Sequence, residues 1–272
     1  MSNLEIKSNP KKEKINIYNS SDFEKMRDAG LLAAETLDYI TKFVKPGVTT
    51  LELNNLCHDF IIKNKAKPAP LNYNGFPKSI CTSVNHVVCH GIPSSHKVLD
   101  NQDILNIDVT VILNGWFGDT SRMFIVGKET TVKAKKLIEI TYESMVEGIK
   151  IIRPGCTLGD IGYTIEKIAN KNNFSIVQDF CGHGIGKQFH QPPSVLHYGN
   201  KGEGLVLEKG MIFTVEPMLN GGTNEVKVLK DGWTAVTKDK ELSAQFEHTV
   251  GVKEDGVEIF TLSPKNLNKP PY

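Results

Sequence analysis

Four acidic residues and one histidine occupy positions where an ordinary surface side chain is not expected. The acids interrupt segments rich in apolar and β-branched residues, and the histidine lies between two glycines. An unpaired carboxylate in such a segment is costly to bury, because it loses its hydration without gaining a partner. Carboxylates and imidazole are metal ligands, so the set indicates a metal centre if the fold brings its members together. The five residues are Asp108, Asp119, His183, Glu216 and Glu247.

The first two carboxylates belong to a predicted β-hairpin. Apolar and polar residues alternate around Asp108, and Asn114-Gly115 is a dipeptide that favours a type I′ turn. In the register set by this turn, Asp108 lies opposite Ser121, and Thr110 lies opposite Asp119. The two carboxylates are then diagonal neighbours on one face, with backbones about 7–8 Å apart. Such a pair is close enough to converge on metal ions, although a solvated strand face would also tolerate it.

The other three residues lie in the second half of the chain. Glu216 ends a strand that Pro217 stops, and Glu247 alternates with apolar residues in a later strand. A glycine-flanked histidine such as His183 is usually a turn residue, but beside four acids it becomes a candidate ligand. Four carboxylates balance the charge of two divalent cations, which could hold a bridging water as hydroxide at neutral pH. Oxygen-rich ligation with one imidazole suits Mn, Fe, Co or Zn.

The elements that must position these residues are repeated along the sequence. Residues 45–53 return 108 residues later as residues 153–161, in each case with Pro-Gly ahead of a threonine that can cap a helix. At the same spacing, Lys63-Asn64 matches Lys171-Asn172 at the end of the helix that follows, and the strand ending at Asp108 matches the strand ending at Glu216. Three matches in register indicate a duplicated α/β half. Pro-Gly is common between helices, so the first match alone could arise by chance. This explanation does not cover the other matches.

The composition is that of an ordinary globular protein. Of 272 residues, 39% are hydrophobic and 23% charged, and the net charge is +1. Nothing in this charge points to nucleic acid or a membrane surface, and no run of about 18 apolar residues is present. The five cysteines are odd in number and form no CxxC pair. They predict neither a disulfide framework nor a zinc finger, and they favour a reducing cytoplasm.

The sequence also suggests boundaries. Residues 1–19 are polar and are predicted to be a flexible extension, and residues 263–272 a surface tail. Residues 20–262 are predicted to form a single catalytic domain, with halves at about 20–127 and 128–262. Its first helix is expected to be capped by Ser21.

Five other histidines, His58, His86, His96, His197 and His248, are not expected to act in catalysis. His86 and His90 have the spacing of a metal-binding pair on a helix, but the residues between them are strand-like and Pro93 follows. On a strand the two rings would be about 13 Å apart. His58, His96 and His197 are predicted to lie on the surface or in ordinary packing, and His248 to face away from Glu247.

Six segments, in this order, resemble the type I methionine aminopeptidases in their short bacterial form. The similarity runs from about residue 20 to residue 262. It implies the pita-bread fold, an α/β (α+β) architecture in which two pseudo-symmetric halves enclose a dinuclear metal site. The segments are CHGIP at 89–93, NIDV at 106–109, GDT at 118–120, GHGIG at 182–186, FTVEP at 213–217 and QFEHT at 245–249.

The resemblance implies a role for each matching residue. Glu216 matches the general base, and His90 and His190 match two histidines that contact the scissile amide and stabilise the tetrahedral intermediate. The implied reaction is removal of the initiator methionine when the second residue is small, by attack of a metal-bridging hydroxide on the first peptide bond. The five matching metal ligands are Asp108, Asp119, His183, Glu216 and Glu247, with Asp119 and Glu247 bridging the two ions.

The resemblance also predicts a methionine pocket with soft, aromatic walls, which suit a thioether. Two positions depart from the bacterial pattern: Pro70 stands where a cysteine is common, and Phe76 where a tyrosine is common. Both replacements are apolar. A monovalent-cation site is further implied at Asn85, Val87 and Ser243. The residues expected to contact the substrate are His90, His190, Tyr73, Phe76, Cys81, Phe189 and Trp233.

The implied enzyme is a cytoplasmic monomer that works near the ribosome on N-terminal methionine peptides, without nucleic acid or membrane. The spacing of about 30 residues between His183 and Glu216 leaves no room for the helical insertion of type II enzymes. Two alternatives are a prolidase or X-Pro aminopeptidase on the same fold, and a pita-bread binding protein without catalysis. The first usually carries an extra N-terminal domain, for which 20 residues leave no space, and the second would have lost metal ligands.

Overall fold

The computed structural model describes residues 14–272. Its helices are α1 (Ser20–Thr41), α2 (Thr50–Lys63), α3 (Val132–Lys150) and α4 (Leu158–Lys171). The strands of the first half are β1 (Lys67–Pro68), β2 (Cys81–Val84), β3 (Val87–Cys89), β4 (Ile104–Leu113) and β5 (Trp116–Ile125). Those of the second half are β6 (Ser175–Ile176), β7 (Gly182–Gly184), β8 (Gln191–Val195), β9 (Ile212–Val215), β10 (Met218–Asn220), β11 (Val226–Val228), β12 (Ala235–Thr237), β13 (Ser243–Gln245), β14 (Glu247–Val252) and β15 (Val257–Ile259).

A central antiparallel sheet organises the described part of the chain. Its strand order is β1-β4-β5-β14-β9-β7-β8, with β2 paired to β4 and β15 paired to β14. Two smaller sheets, β13-β10-β6 and β11-β12-β3, lie beside it. Across the described residues, no helix has the length and apolar character needed to span a bilayer.

The predicted hairpin is confirmed as β4 and β5. Asn114 and Gly115 have φ values of 51° and 81°, and a type I′ turn requires positive φ at both central residues. Asp108 pairs with Ser121, and Thr110 pairs with Asp119. The register inferred from the turn is therefore the register of the fold.

The two halves repeat each other closely. The helices α2 and α4 have equal lengths and begin 108 residues apart, after the capping threonines Thr49 and Thr157. Each threonine closes a capping box and also forms an isolated bridge, Thr49 to Val98 and Thr157 to Val206. These bridges are again 108 residues apart, so the predicted duplication of an α/β half is confirmed.

The helices cover one face of the central sheet. Apolar residues of β4 such as Ile107 and Val109 belong to the core cluster that includes Leu37 of α1 and Ile61 of α2. Phe213 of β9 packs in the corresponding cluster of the second half, with residues of α3 and α4. Successive side chains of a strand point to opposite faces, so the polar residues of the same strands point away from the helices.

The first helix begins earlier than predicted. Asn19 is its cap: the Asn19 side chain accepts from the Asp22 N–H at 3.1 Å, and the Asp22 carboxylate accepts from the Asn19 N–H at 3.2 Å. The prediction of Ser21 as the cap was wrong. Ser20 and Ser21 are also possible caps by residue type, and the reciprocal bond to a carboxylate three residues on favours Asn19.

Both terminal segments contact the body of the protein. The Tyr18 N–H donates to the Gly210 carbonyl at 2.8 Å, so the inner end of the predicted flexible extension is attached to the body of the protein. Residues 1–13, the rest of that extension, lie outside the described residues. At the other end, the Tyr272 hydroxyl donates to the Met123 carbonyl at 2.7 Å and holds the predicted surface tail.

A buried ion pair joins α1 to β5. Arg122 Nη1 lies 2.5 Å from Asp38 Oδ1, and both side chains are about 1% exposed. The Ser263 hydroxyl donates to the same carboxylate at 2.8 Å, which ties the C-terminal segment to the pair. A buried charge is tolerated only while its partner remains, because desolvation is otherwise uncompensated.

Replacing Asp38 by alanine should therefore lower the free energy of unfolding by about 3–5 kcal/mol, because Arg122 is left buried and unpaired. Urea denaturation measures this loss. Glu241→Ala is the control, since the Lys133–Glu241 pair is exposed (50% and 45%) and its removal should cost much less. Equal denaturation midpoints for the two variants would contradict the expectation.

Candidate metal centre and active site

Five neighbouring strands of the central sheet each bring one predicted metal ligand to the same face. Asp108 lies on β4, Asp119 on β5 and Glu247 at the start of β14. Glu216 directly follows β9, and His183 is the middle residue of β7. These strands are adjacent in the order β4-β5-β14-β9-β7, so residues far apart in sequence become neighbours.

The side chains converge in the structure. Asp119, His183 and Glu247 place ligand atoms within 4.8 Å of one another. His183 Nε2 lies 3.7 Å from Asp119 Oδ2 and 3.6 Å from Glu216 Oε1. Asp108 and Glu247 lie on strands β4 and β14, on either side of β5. Both residues pair with the same residue of β5, Ser121.

Hydroxyl groups orient two of the carboxylates. The Thr110 hydroxyl donates to Asp119 Oδ1 at 2.7 Å, and the Thr214 hydroxyl donates to Glu216 Oε1 at 2.8 Å. The Thr214 hydroxyl also accepts from the His183 N–H at 2.9 Å, which links β9 to β7. Sequence analysis did not assign these roles. Their positions in the strands could have indicated these contacts. Thr214 is two residues before Glu216, and Thr110 lies directly opposite Asp119, so each threonine shares a sheet face with its carboxylate.

Burial and mutual repulsion disfavour the charged forms of the carboxylates. Burial raises the pKa of Asp108 to about 7 and that of Glu216 to about 8. Burial, reinforced by neighbouring carboxylates, raises the pKa values of Asp119 and Glu247 well above their ordinary range. For His183, burial lowers the pKa to about 3, so the imidazole is neutral and offers a lone pair.

This donor set fits divalent metal ions. Cations would remove the repulsion that opposes ionisation of the acids, and a neutral imidazole is the form that binds a metal. Asp108 Oδ1 is buried and has no hydrogen-bond partner among residues 14–272, so it is an acceptor that still lacks a positive partner.

Two further histidines approach the cluster from outside the sheet. His90 follows β3 with φ 55°, and its ring lies edge-on to Phe180, with centroids 5.5 Å apart. The next residue must be glycine, because a Cβ on Gly91 would lie 2.1 Å from the Thr82 carbonyl oxygen. Burial lowers the pKa of His90 below its ordinary value, so this imidazole is neutral at pH 7.

His190 lies beside the cluster on the other side. Its ring centroid is 4.2 Å from that of His183, and its Nδ1 lies 2.9 Å from the Tyr73 hydroxyl. Burial, with a smaller effect of the His90 charge, lowers the pKa of His190 to about 4. Both histidines therefore carry one N–H and one lone pair at neutral pH.

A cavity of about 300 Å³ joins the ligands, the two histidines and the predicted methionine pocket. The rings of Phe76 and Trp233 pack edge to face, with centroids 5.3 Å apart. The ring centroids of Phe189 and Tyr73 are 4.8 Å apart. The predicted pocket residues on its wall are Pro70, Tyr73, Phe76, Cys81, Phe189 and Trp233. Further lining residues that sequence analysis did not assign to the pocket are Cys89, Asp179, Phe180, Cys181, Met218 and Gln245.

Three predicted residues lie elsewhere. Asn85, Val87 and Ser243 are not among the described residues that line the cavity. They are close to one another, since the Ser243 N–H donates to the Asn85 carbonyl at 2.9 Å and Val87 begins β3 two residues later.

His197 has a contact that sequence analysis missed. It is buried, and its Nε2 accepts a hydrogen bond from the Glu216 N–H at 3.0 Å. No local pattern signals this contact, because it joins segments 19 residues apart. His248 follows its prediction: its Nδ1 lies 2.8 Å from the Thr261 hydroxyl, on the face opposite Glu247.

Comparison with known proteins gives a consistent assignment. Residues 24–254 match the model of metallopeptidase family M24. The methionine aminopeptidase of Rickettsia prowazekii (strain Madrid E) is 62% identical over 259 residues, which are 95% of this chain and 99% of the relative. That of Escherichia coli (strain K12) is 51% identical over 249 residues, 91% of this chain and 94% of the relative.

A solved structure agrees with the fold. The crystal structure of methionine aminopeptidase from Rickettsia prowazekii is similar with a TM-score of 0.90 and covers 92% of this chain and 100% of its own. The family and the fold predicted from the six motifs are confirmed. The chain belongs to metallopeptidase family M24, in its methionine aminopeptidase branch.

Proposed function

We propose that this chain is a metal-dependent aminopeptidase that removes an N-terminal methionine when the next residue is small. The observation that carries the proposal is the convergence of five candidate ligand side chains, carried by five adjacent strands, on one largely apolar cavity. Relatives with more than half of their residues identical bear the name methionine aminopeptidase. This favours the proposal over a proline-specific peptidase or a non-catalytic binding protein.

Two divalent metal ions per chain are proposed, and Asp108, Asp119, His183, Glu216 and Glu247 would hold them. Charge supports the number, because four carboxylates are balanced by two divalent cations. The donor types suit Co, Mn, Fe or Zn. When bound, such ions lower the pKa of water and polarise a carbonyl group.

Glu216 is proposed as the general base. Its Oε1 accepts from the Thr214 hydroxyl and its Oε2 lies 3.3 Å from Gln245 Nε2, so the carboxylate is held from two sides. A carboxylate fixed in this way can accept a proton from the attacking water and deliver it to the departing amine. The His197 contact to the Glu216 N–H holds the backbone at the same point.

His90 and His190 are proposed to contact the scissile amide. In the tautomer in which the Tyr73 hydroxyl donates to Nδ1 of His190, the Nε2–H of His190 is free to donate to the substrate. A preorganised N–H donor stabilises charge that develops on the substrate oxygen or nitrogen. The low pKa values of both histidines keep them neutral, so they donate without a competing positive charge near the metal site.

The methionine side chain is proposed to fill the aromatic end of the cavity. Tyr73, Phe76, Cys81, Phe189 and Trp233 give it apolar and polarisable walls. Pro70 and Phe76 keep the wall apolar, and they remove the thiol and the hydroxyl that relatives commonly have there. Only the first residue of a peptide would be released, because its free amine would bind near one of the metals.

Several expectations remain proposals. They are the monomeric state, action near the ribosome on nascent chains, the monovalent-cation site at Asn85, Val87 and Ser243, and a single catalytic domain spanning residues 20–262. A cytoplasmic location is favoured by the free state of all five cysteines.

Replacing His90 by alanine should lower kcat for release of methionine from Met-Ala-Ser by about 10²–10³-fold, because one preorganised donor is lost. Glu216→Ala should abolish turnover. His86→Ala is the matched control, since this exposed histidine lies four residues before His90. Near-normal turnover by His90→Ala would contradict the assigned mechanism.

Substrate choice tests the alternative activity. Faster release of the first residue from Ala-Pro-Ser than from Met-Ala-Ser would favour a proline-specific peptidase.

Metal binding should depend on pH in a definite direction. At about pH 6 the carboxylates with raised pKa values hold protons that the ions must displace, whereas at about pH 8 fewer protons compete. The apo-protein should therefore gain more thermal stability from Mn, Fe, Co or Zn at pH 8 than at pH 6. An equal gain at both pH values would contradict this expectation.

The number of bound ions is a separate test. Elemental analysis of the protein after reconstitution with each metal should give two ions per chain, and saturation at one ion would contradict the dinuclear assignment.

A further inference from the structure

A short N-terminal arm, residues 15–19, packs against the loop that connects His183 to His190. The Tyr18 N–H donates to the Gly210 carbonyl at 2.8 Å, and Asn19 caps α1, so the arm is fixed at its inner end. The Tyr18 ring lies edge-on to Trp116, with centroids 5.3 Å apart. Lys187 of the loop reaches the same indole ring, with its Nζ 5.5 Å from the centroid.

The arm binds one buried carboxamide, that of Gln191. Asn16 Nδ2 donates to Gln191 Oε1 at 2.9 Å, and Gln191 Nε2 donates to the Tyr18 hydroxyl at 2.9 Å. Gln191 Nε2 also donates to the Ile185 carbonyl at 3.1 Å, so both of its hydrogens are used. Only 8% of Gln191 is exposed, and an unpaired amide hydrogen at this depth would be unfavourable.

Two glycines shape the place that the arm occupies. A Cβ on Gly186 would lie 2.1 Å from the Tyr18 hydroxyl, and a Cβ on Gly210 would lie 2.6 Å from the Tyr18 carbonyl oxygen. Gly210 also has φ +92°, where other residues are strained. A side chain at either position would displace the arm, so Tyr18 fits closely against the backbone at both glycines.

Gln191 connects the arm to the candidate active site. It directly follows His190, begins β8, and pairs with Gly184 of β7, next to the proposed ligand His183. The His190 side chain lines the cavity and is held at Nδ1 by Tyr73. The direction of its ring therefore depends strongly on the backbone at Gln191.

We propose that the N-terminal arm is a positioning element for His190. Asn16 and Tyr18 fix the carboxamide of Gln191, which in turn fixes the backbone from which the His190 ring reaches the scissile amide. This inference rests on the proposed function, in which His190 contacts that amide. Asn16, Tyr18 and Gln191 are positioning residues because they act through His190 and do not themselves line the cavity.

Loss of the Tyr18 hydroxyl leaves one Gln191 hydrogen without its partner, and the loop can then shift to regain water. A small displacement of a donor lowers the rate more than it lowers binding, because the transition state requires closer alignment than the ground state does. The pocket wall formed by Phe76 and Trp233 belongs to other elements and should stay in place.

The experiment compares Tyr18→Phe with Tyr163→Phe in the full chain loaded with metal. Both changes remove one hydroxyl, and Tyr163 is an exposed tyrosine on α4. Tyr18→Phe should lower kcat for Met-Ala-Ser about tenfold, with KM within about twofold of the parent value and an unchanged metal content. Asn16→Ala should act in the same direction, and Tyr163→Phe should leave kcat unchanged. Normal kcat in both Tyr18→Phe and Asn16→Ala would overturn the proposal.

A double-mutant cycle with His190→Ala separates positioning from a general structural effect. At high enzyme concentration, where residual rates are measurable, adding Tyr18→Phe to His190→Ala should lower kcat by less than about twofold, because the group being positioned is absent. A tenfold loss in that background would overturn the proposal. Normal turnover by His190→Ala alone would contradict the proposed function, whereas its loss together with normal Tyr18→Phe activity would overturn only the role of the arm.

Discussion

Repulsion and desolvation among four carboxylates on one face of the central sheet are the constraint on which the rest of the structure depends. Burial raises the pKa values of all four acids, so the cluster is unfavourable in its ionised form without cations. Rigid β-strands hold the acids together against this repulsion. The threonine hydroxyls beside Asp119 and Glu216 fix individual oxygens, and the helices on the opposite face provide the apolar packing.

The duplication supplies the acids in pairs. The strand pair β4 and β5 presents Asp108 and Asp119, and the strand pair β9 and β14 presents Glu216 and Glu247. The pairing of β5 with β14 joins the two halves at the centre of the sheet. Asp108 and Glu216 are equivalent by the repeat, so the acidic cluster lies where the two halves meet. His183, on β7, is the candidate ligand that departs from this symmetry.

The residues assigned to the substrate do not follow the repeat. His90 and Trp233 belong to the sheet β11-β12-β3 and its loops, whereas Tyr73 and Phe189 come from two separate connections. A repeated scaffold thus presents the candidate metal centre, and unrepeated segments present the groups proposed to recognise methionine and the scissile amide. Close backbone contacts at glycines, such as Gly91 against Thr82, hold these segments to the sheet.

Local patterns in the sequence were sufficient for a large part of the fold and the site. Asn114-Gly115 and the alternation around it determined the register of β4 and β5, because the turn type sets which residues face each other. The capping threonines and the 108-residue repeat identified α2 and α4. The motifs identified the family and predicted the ligand set. These features depend on neighbours along one strand or one helix, or on a pattern that occurs twice.

Only the tertiary structure decided which distant side chains meet. The contact of His197 with the Glu216 backbone, and the two bonds from the arm to Gln191, have no periodic signal. Asn16 and Gln191 are separated by 175 positions, and nothing in either segment specifies the other. Sequence alone therefore determined the candidate ligands and the strands that carry them, because those follow from local geometry. How the ligands and histidines are held in place was decided by folding, because burial and hydrogen-bond partners exist only after the segments have packed.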